Sequence, residues 1–168
     1  MPMQTRTAVA ADAEAIRVIY NLEVETSTAT FDIVPRTLEQ QRAWLADRSG
    51  AFRAIVAVDA GVVAGFAALS PYKDRAAYNT TVEDSVYVRR DRQGAGVGRV
   101  LLAALLDVAT ASGFHAVMAR IEASGTASRA LHERCGFDLI GIEREVGRKF
   151  NRWLDVAVME CLLAPSPR

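Results

Sequence analysis

The chain has 168 residues, 51% hydrophobic and 24% charged, with 20 basic and 20 acidic side chains and no net charge. That is an ordinary globular composition, with chain enough to bury about two-thirds of the unfolded surface. Zero net charge gives no bulk attraction to nucleic acid or to an anionic membrane. The start, Met1-Pro2-Met3-Gln4-Thr5-Arg6, has no apolar stretch of signal-peptide length, and no segment is long enough to span a bilayer. Cys135 and Cys161 read as reduced thiols of a cytoplasmic protein, without metal-ligand spacing, so no metal is expected. A single domain over 1–168 is expected, its core about 5–163, with Pro165-Ser166-Pro167-Arg168 in a disordered tail at 164–168.

Residues 5–9 read as a strand, and Asp12 as the cap of a helix carrying Ile16, Ile19, Tyr20 and Leu22. A polar segment, Thr26 to Phe31, follows. Thr37 and Gln40 form a capping box for a second helix through Trp44 and Leu45. Phe52 to Asp59 and Val62 to Leu69 read as strands joined at an Ala60-Gly61 hairpin. Thr81 to Val88 is β-branched and aromatic, hence another strand. Val97, Leu101, Leu105 and Val108 then recur at helical spacing, widened by Leu102, Leu106 and Ala109, and Gly113 ends the helix. Phe114 to Ile121 is a buried-looking strand, Ala127 to Cys135 a short helix closed by Gly136, and Phe137 to about Arg144 and Trp153 to Leu163 are final strands. The order βααβββαβαββ makes an α/β domain with a mixed sheet, because the two strands flanking a crossover helix lie parallel.

Between strand and helix stands Gln93-Gly94-Ala95-Gly96-Val97-Gly98. Glycines at alternate positions permit unusual backbone angles and close approach to the main chain. The unbonded N–H groups of the following first turn, with the helix dipole, favour an anion. The loop is therefore expected to hold a phosphate or pyrophosphate. Gly98-Arg99-Val100 lacks the Lys-Ser/Thr ending of a Walker loop, and the third glycine is one residue early for a dinucleotide fingerprint.

Gln93, Gly96 and Gly98 match the Gln/Arg-x-x-Gly-x-Gly/Ala pyrophosphate arm of the GNAT superfamily of acetyl-CoA-dependent N-acyltransferases, which the chain resembles from about Thr5 to Leu162. Ser128-Arg129-Ala130-Leu131-His132-Glu133-Arg134-Cys135-Gly136-Phe137 is similar to the family's second signature. Thr81-Val82-Glu83-Asp84-Ser85-Val86-Tyr87-Val88, Lys149-Phe150-Asn151-Arg152-Trp153-Leu154-Asp155-Val156 and Ser27-Thr28-Ala29-Thr30-Phe31 resemble the branch that acetylates phosphinothricin and methionine sulfone or sulfoximine. The chain departs from that branch at Gly125, where Asn is usual before the short helix, and at Asn151, where Gly is usual. Ser124 or Thr126 could supply the polar group that Gly125 lacks, and Asn151 still tolerates a positive φ.

The resemblance implies a mostly antiparallel sheet whose strand splays from its parallel neighbour after Val88, and acetyl-CoA as co-substrate. It implies cofactor contacts from Val86, Tyr87, Val88, Gln93, Gly94, Ala95, Gly96, Val97, Gly98, Arg99, Gly125 and Ser128. An α-ammonium must lose a proton before it attacks a thioester, which gives a nearby carboxylate work to do. Glu83, in an otherwise apolar strand, is the expected base. His132 stands where many relatives carry a Tyr facing the sulfur, so it is a donor to the leaving thiolate, a cofactor contact, or a structural helix residue. The loop Pro71-Tyr72-Lys73-Asp74-Arg75-Ala76-Ala77-Tyr78 resembles the branch's acceptor-binding loop. Lys73, Arg75 and Tyr78 would then recognise a small, strongly polar amino acid beside Glu83, with Phe31 over its methylene stem. A homodimer is expected, with the strand from Trp153 to Leu163 offering apolar surface. Acetylation of protein N-termini or lysines, and a non-catalytic acyl-CoA sensor, are the other functions such a chain could have.

Overall fold

The computed structural model describes residues 3–163; the reading of a disordered tail therefore lies outside the described residues. The elements are β1 (Gln4–Thr7), α1 (Ala13–Thr26), α2 (Leu38–Ala46), β2 (Ile55–Asp59), β3 (Val62–Pro71), β4 (Thr81–Val88), α3 (Val97–Ala111), β5 (Ala116–Glu122), α4 (Thr126–Arg134), β6 (Asp138–Lys149) and β7 (Arg152–Leu162). The expected order holds. Seven strands form one sheet, β1-β2-β3-β4-β5-β7-β6, antiparallel everywhere except between β4 and β5.

Local chemistry explains most boundaries. Thr37 Oγ1 accepts the Gln40 N–H at 3.1 Å while Gln40 Oε1 accepts the Thr37 N–H at 2.9 Å, the reciprocal box that starts α2. Asp12 does not cap α1. Its carboxylate takes the Val9 N–H at 2.8 Å and both ends of the Arg6 guanidinium, so it fastens the preceding turn instead. Ala60 and Gly61 both have positive φ, the tight hairpin geometry that matches strand twist. Phe150 and Asn151 do the same between β6 and β7, so Asn151 does adopt the left-handed conformation.

Two cores lie on opposite sheet faces. Leu101, Leu102, Leu105 and Ala109 of α3 pack on Leu69, Val82, Val117, Ala119 and Met159. On the other face, Ile16, Ile19, Tyr20 and Val24 of α1 cover Val56 and Phe66, with Trp44 and Tyr87 alongside. That second face extends past the helices. There Met118, Val156 and Val158 form a separate cluster with Tyr72 packed against it.

β4 and β5 pair only at Thr81–Ala116, Val82–Val117 and Glu83–Met118. β4 continues along β3 to Val88, and β5 continues along β7 to Glu122, so the sheet opens from Asp84 onward. This corrects the expected position, after Val88, by several residues. Asp84, the first unpaired residue, is instead bonded to His132 of α4, a contact between distant segments. The strand expected to offer apolar surface does so at its ends: β7 is an interior strand but exposes Trp153 and Leu162, and the edge strand β6 beside it adds the exposed Leu139, Ile140, Ile142 and Val146.

Candidate active site

On the α3 side, β4 runs through a turn at Arg90–Arg92 into residues 93–99. Arg90 Nε donates to Glu23 at 2.9 Å and Arg92 to Asp59 at 2.8 Å, which fixes the approach. Gly94 and Gly96 have φ of +77° and +85°, and nothing lies within 4 Å of where their side chains would be. Gly96 caps α3 without a side-chain hydrogen bond, and the first turn carries no acid. An open, left-handed glycine loop ending in unbonded helix N–H groups, with Arg99 beside them, suits a pyrophosphate. Next to it, Val86, Tyr87 and Val88 have no strand on their β5 side. Their outward backbone groups need partners when water is excluded. The residues present fit acetyl-CoA, with phosphates on the loop and an amide-bearing arm along β4.

Gly125 and Ser128 stand at the start of α4, whose Leu131 lies against Gly98 in the first turn of α3. Gly125 offers only backbone, and its N–H bonds the Glu122 carbonyl at 2.8 Å. Ser124 does not replace the missing amide side chain, because its hydroxyl is turned onto the Glu122 carboxylate.

His132 is buried and fully bonded. Nδ1 faces the Ser128 carbonyl at 2.8 Å, where it must donate, and Nε2 faces Asp84 Oδ2 at 2.8 Å. Burial opposes the imidazolium, but the hydrogen bond and charge of Asp84 outweigh it and raise the pKa above the usual histidine value. Both ring protons are thus engaged, and the ring packs edge-on against Phe137. The geometry favours a structural ion pair over a donor to the departing thiolate. Alternation could have revealed it: Val82, Asp84 and Val86 share the core-facing phase of β4, and a carboxylate there needs a buried partner.

Glu83 faces the other way. It lies opposite Met118 on the helix-free part of the second face and has no hydrogen-bond partner among the described residues. Burial raises its pKa, the nearby Arg120 lowers it, and Asp84 and Glu143 raise it further; the sum is upward. Arg120 is itself held by both oxygens of Glu143. A half-buried carboxylate without a hydrogen-bond partner among the described residues, its pKa raised, thus stands at the point where the sheet opens.

The remaining residues arrive from three segments. Tyr72 packs on Met118, Val156 and Val158, which brings the 71–78 loop beside Glu83. Lys73 Nζ sits 4.7 Å from the Tyr72 ring centre and 5.1 Å from that of Tyr78, so the aromatic pair holds its charge. Arg75 is exposed and makes no ion pair among the described residues. Phe31 lies on the backbone of Gly147. Its loop is pinned by Thr28, which donates to Glu122 at 2.8 Å, and by Lys149 Nζ, which donates to the Thr30 carbonyl at 2.8 Å. Burial lowers the Lys149 pKa, with Asp32 and Glu23 opposing.

Comparisons with known proteins identify the family. The model of the acetyltransferase (GNAT) family matches residues 16–137. The chain belongs to the GNAT acetyltransferase family. Among its curated relatives is an L-methionine sulfoximine/L-methionine sulfone acetyltransferase of Pseudomonas aeruginosa, 40% identical over 99% of this chain and 98% of the relative. A phosphinothricin N-acetyltransferase of Streptomyces coelicolor is 41% identical over 94% of this chain and 95% of its own. A putative acetyltransferase from Salmonella typhimurium, solved with its cofactor acetyl-CoA, superposes with a TM-score of 0.94 at 35% identity, covering 100% of this chain and 98% of that one.

Several residues of this GNAT chain were not singled out by sequence. Glu122 receives Thr28, the Ser124 hydroxyl and the Ser124 N–H, so one carboxylate joins the Phe31 loop to the turn before α4. Those hydrogen bonds outweigh the burial that would raise its pKa and bring it below the usual value. Glu23 and Arg90 tie α1 to the glycine loop. Neither has a local sequence signal. Lys149 and Gly147 lie in or beside the Lys149–Val156 motif, which was legible as a pattern but not as a contact.

Proposed function

We propose that the protein transfers an acetyl group from acetyl-CoA to the α-amine of a small amino-acid analogue of the phosphinothricin, methionine sulfone or methionine sulfoximine type. The observation that carries this is Glu83, unpartnered, half-buried and raised in pKa at the mouth of the opened sheet. The names of the relatives support the acceptor class.

Acetyl-CoA, when bound, supplies an acetyl thioester. Residues 93–99 hold its phosphates, and the free edge of β4 at residues 86–88 binds its amide arm and donates to the acyl oxygen as negative charge develops there. Arg75 and Tyr78 grip the polar end of the acceptor, and Phe31 covers its stem. Glu83 takes a proton from the ammonium, directly or through water, so that the neutral nitrogen attacks the acyl carbon in a ternary complex; the C–S bond then breaks, and CoA departs as a thiolate that takes up the proton lost by the newly bonded nitrogen. Asp84 and His132 keep α4 fixed against β4 while the cleft fills.

On this reading the protein works in the cytoplasm and pairs as a homodimer, for which Trp153 and Leu162 of β7 and the adjoining edge of β6 offer exposed apolar surface. Thiol release from acetyl-CoA, followed with each of the three analogues and with peptides bearing free N-termini or lysines, tests the reading. Turnover with at least one analogue and none with peptides is expected. Peptide turnover alone overturns the acceptor assignment, and no turnover with any amine leaves the sensor function standing.

A further inference from the structure

Gly147 follows an excursion in β6. Arg144, Glu145 and Val146 face a single residue of β7, Asp155, whose carboxylate takes the Glu145 N–H at 2.7 Å. Regular pairing resumes at Gly147 opposite Leu154. Gly147 does not have a left-handed φ, so its backbone would accept any L-residue. What it cannot accept is a side chain. A Cβ built there would stand 2.2 Å from Phe31 Cε2, 2.7 Å from Cζ and 2.9 Å from Cδ2. Real carbons do not approach so closely, so the ring of Phe31 rests where the side chain of residue 147 would be.

The loop behind the ring has little freedom to yield. Lys149, two residues along the same strand, holds the Thr30 carbonyl at 2.8 Å and the Glu23 carbonyl at 3.4 Å. The Thr30 hydroxyl bonds Tyr20 at 3.0 Å and receives the Asp32 N–H at 3.2 Å. Thr28 is tied to Glu122. Any group added at 147 therefore moves the ring rather than the backbone. Strand register puts Gly147 on the acceptor side of the sheet: Leu154 opposite it shares the phase of Val156 and Val158, which cluster with Met118.

We propose that Gly147 is a specificity-determining residue: the missing side chain makes a seat for Phe31, and the seated ring sets the height of the acceptor pocket wall. This rests on the reading of Phe31 as a wall of the acceptor pocket. Gly147→Ala unseats the ring, takes it off the acceptor's methylene stem, and leaves the glycine loop untouched.

The test is a double-mutant cycle with Phe31→Ala. Gly147→Ala is expected to raise the acceptor KM about tenfold, a loss typical of one missing apolar contact, with the KM for acetyl-CoA unchanged. In the Phe31→Ala background the same change is expected to cost less than about twofold. Equal costs in both backgrounds, or a parallel rise in the KM for acetyl-CoA, overturns the proposal, because a general disturbance of the fold would do that. A second readout needs no acceptor. With 4-fluorophenylalanine at position 31 alone, the fluorine resonance is expected to shift in Gly147→Ala, and an unshifted line overturns the seat. If no analogue is turned over while the resonance shifts, the acceptor class falls and the seat stands, and the kinetic arm is then run with whichever amine the screen yields.

Discussion

The two halves of the cleft are built in different ways. The proposed phosphate side is one continuous run, residues 93–99, whose shape comes from its own backbone: positive φ at Gly94 and Gly96, then a helix start. The proposed acceptor side is assembled from Phe31, the 71–78 loop, Glu83, Arg120 and the end of β6, each placed by tertiary contacts. A site made of backbone needs only short-range sequence and tolerates change around it. A site made of side chains from separate segments can be retuned one residue at a time, and it fails when a distant tie is cut.

The largest expected effect is at the junction of the halves. Removing one partner of a buried ion pair leaves the other uncompensated, so Asp84→Ala should cost about 3–5 kcal/mol of stability in urea denaturation. The pair also predicts a pH dependence. The folded pKa of His132 is raised, so its contribution is complete below the unfolded value of about 6.5 and is lost as pH rises through the folded value. Asp84→Asn should flatten that decline.

Next comes Glu83→Gln, expected to lower kcat about a hundredfold with less change in the KM for acetyl-CoA. In the wild type the acidic limb of the rate should lie above the ordinary glutamate pKa, since burial raises it, and the variant should lack that limb. Burial disfavours the charged form, and the stability its proton brings is lost as pH rises through the folded pKa. The variant's melting temperature at neutral pH should therefore equal or exceed the wild type's, which separates a catalytic loss from an unfolding one.

Two further substitutions separate the halves directly. Arg75→Ala should raise the acceptor KM about ten- to hundredfold and leave acetyl-CoA affinity unchanged, with Lys restoring little because a point charge lacks the guanidinium fork. Gly96→Asp should do the converse, weakening acetyl-CoA binding at least about tenfold by calorimetry, read at a temperature where circular dichroism shows the variant folded, since φ at this position also strains an aspartate. If either variant moved both constants equally, the halves would not be separable.

The same contrast explains what could be read from sequence. Element order, the capping box at Thr37, the Ala60-Gly61 hairpin and the glycine loop follow from short-range rules and appear where expected. Strand ends fared worse. Phe52 belongs to a short helical turn rather than to β2, and β6 runs past Arg144 to Lys149 because an excursion, invisible in composition, carries it across a charged stretch. The site residues divide similarly. Glu83 lies on the strand and Gly94 and Gly96 in the turn that their motifs imply, whereas the bonding of His132 depends on Asp84, 48 positions away. The roles of Glu122, Lys149 and Gly147 likewise lie in partners that no local pattern names.

The excursion in β6 also bears on how the molecule behaves among its own copies. An unbroken edge strand carrying Leu139, Ile140, Ile142 and Val146 would present a long row of unsatisfied donors and acceptors, a template for adding strand after strand. Here the row is interrupted twice, at Ile140 and across Arg144 to Val146. Such kinks throw the hydrogen-bonding groups out of line and twist the edge away. An open-ended stack of sheets therefore has no continuous register to follow at this edge, and its apolar surface is left to finite, side-chain-led association instead of fibre growth.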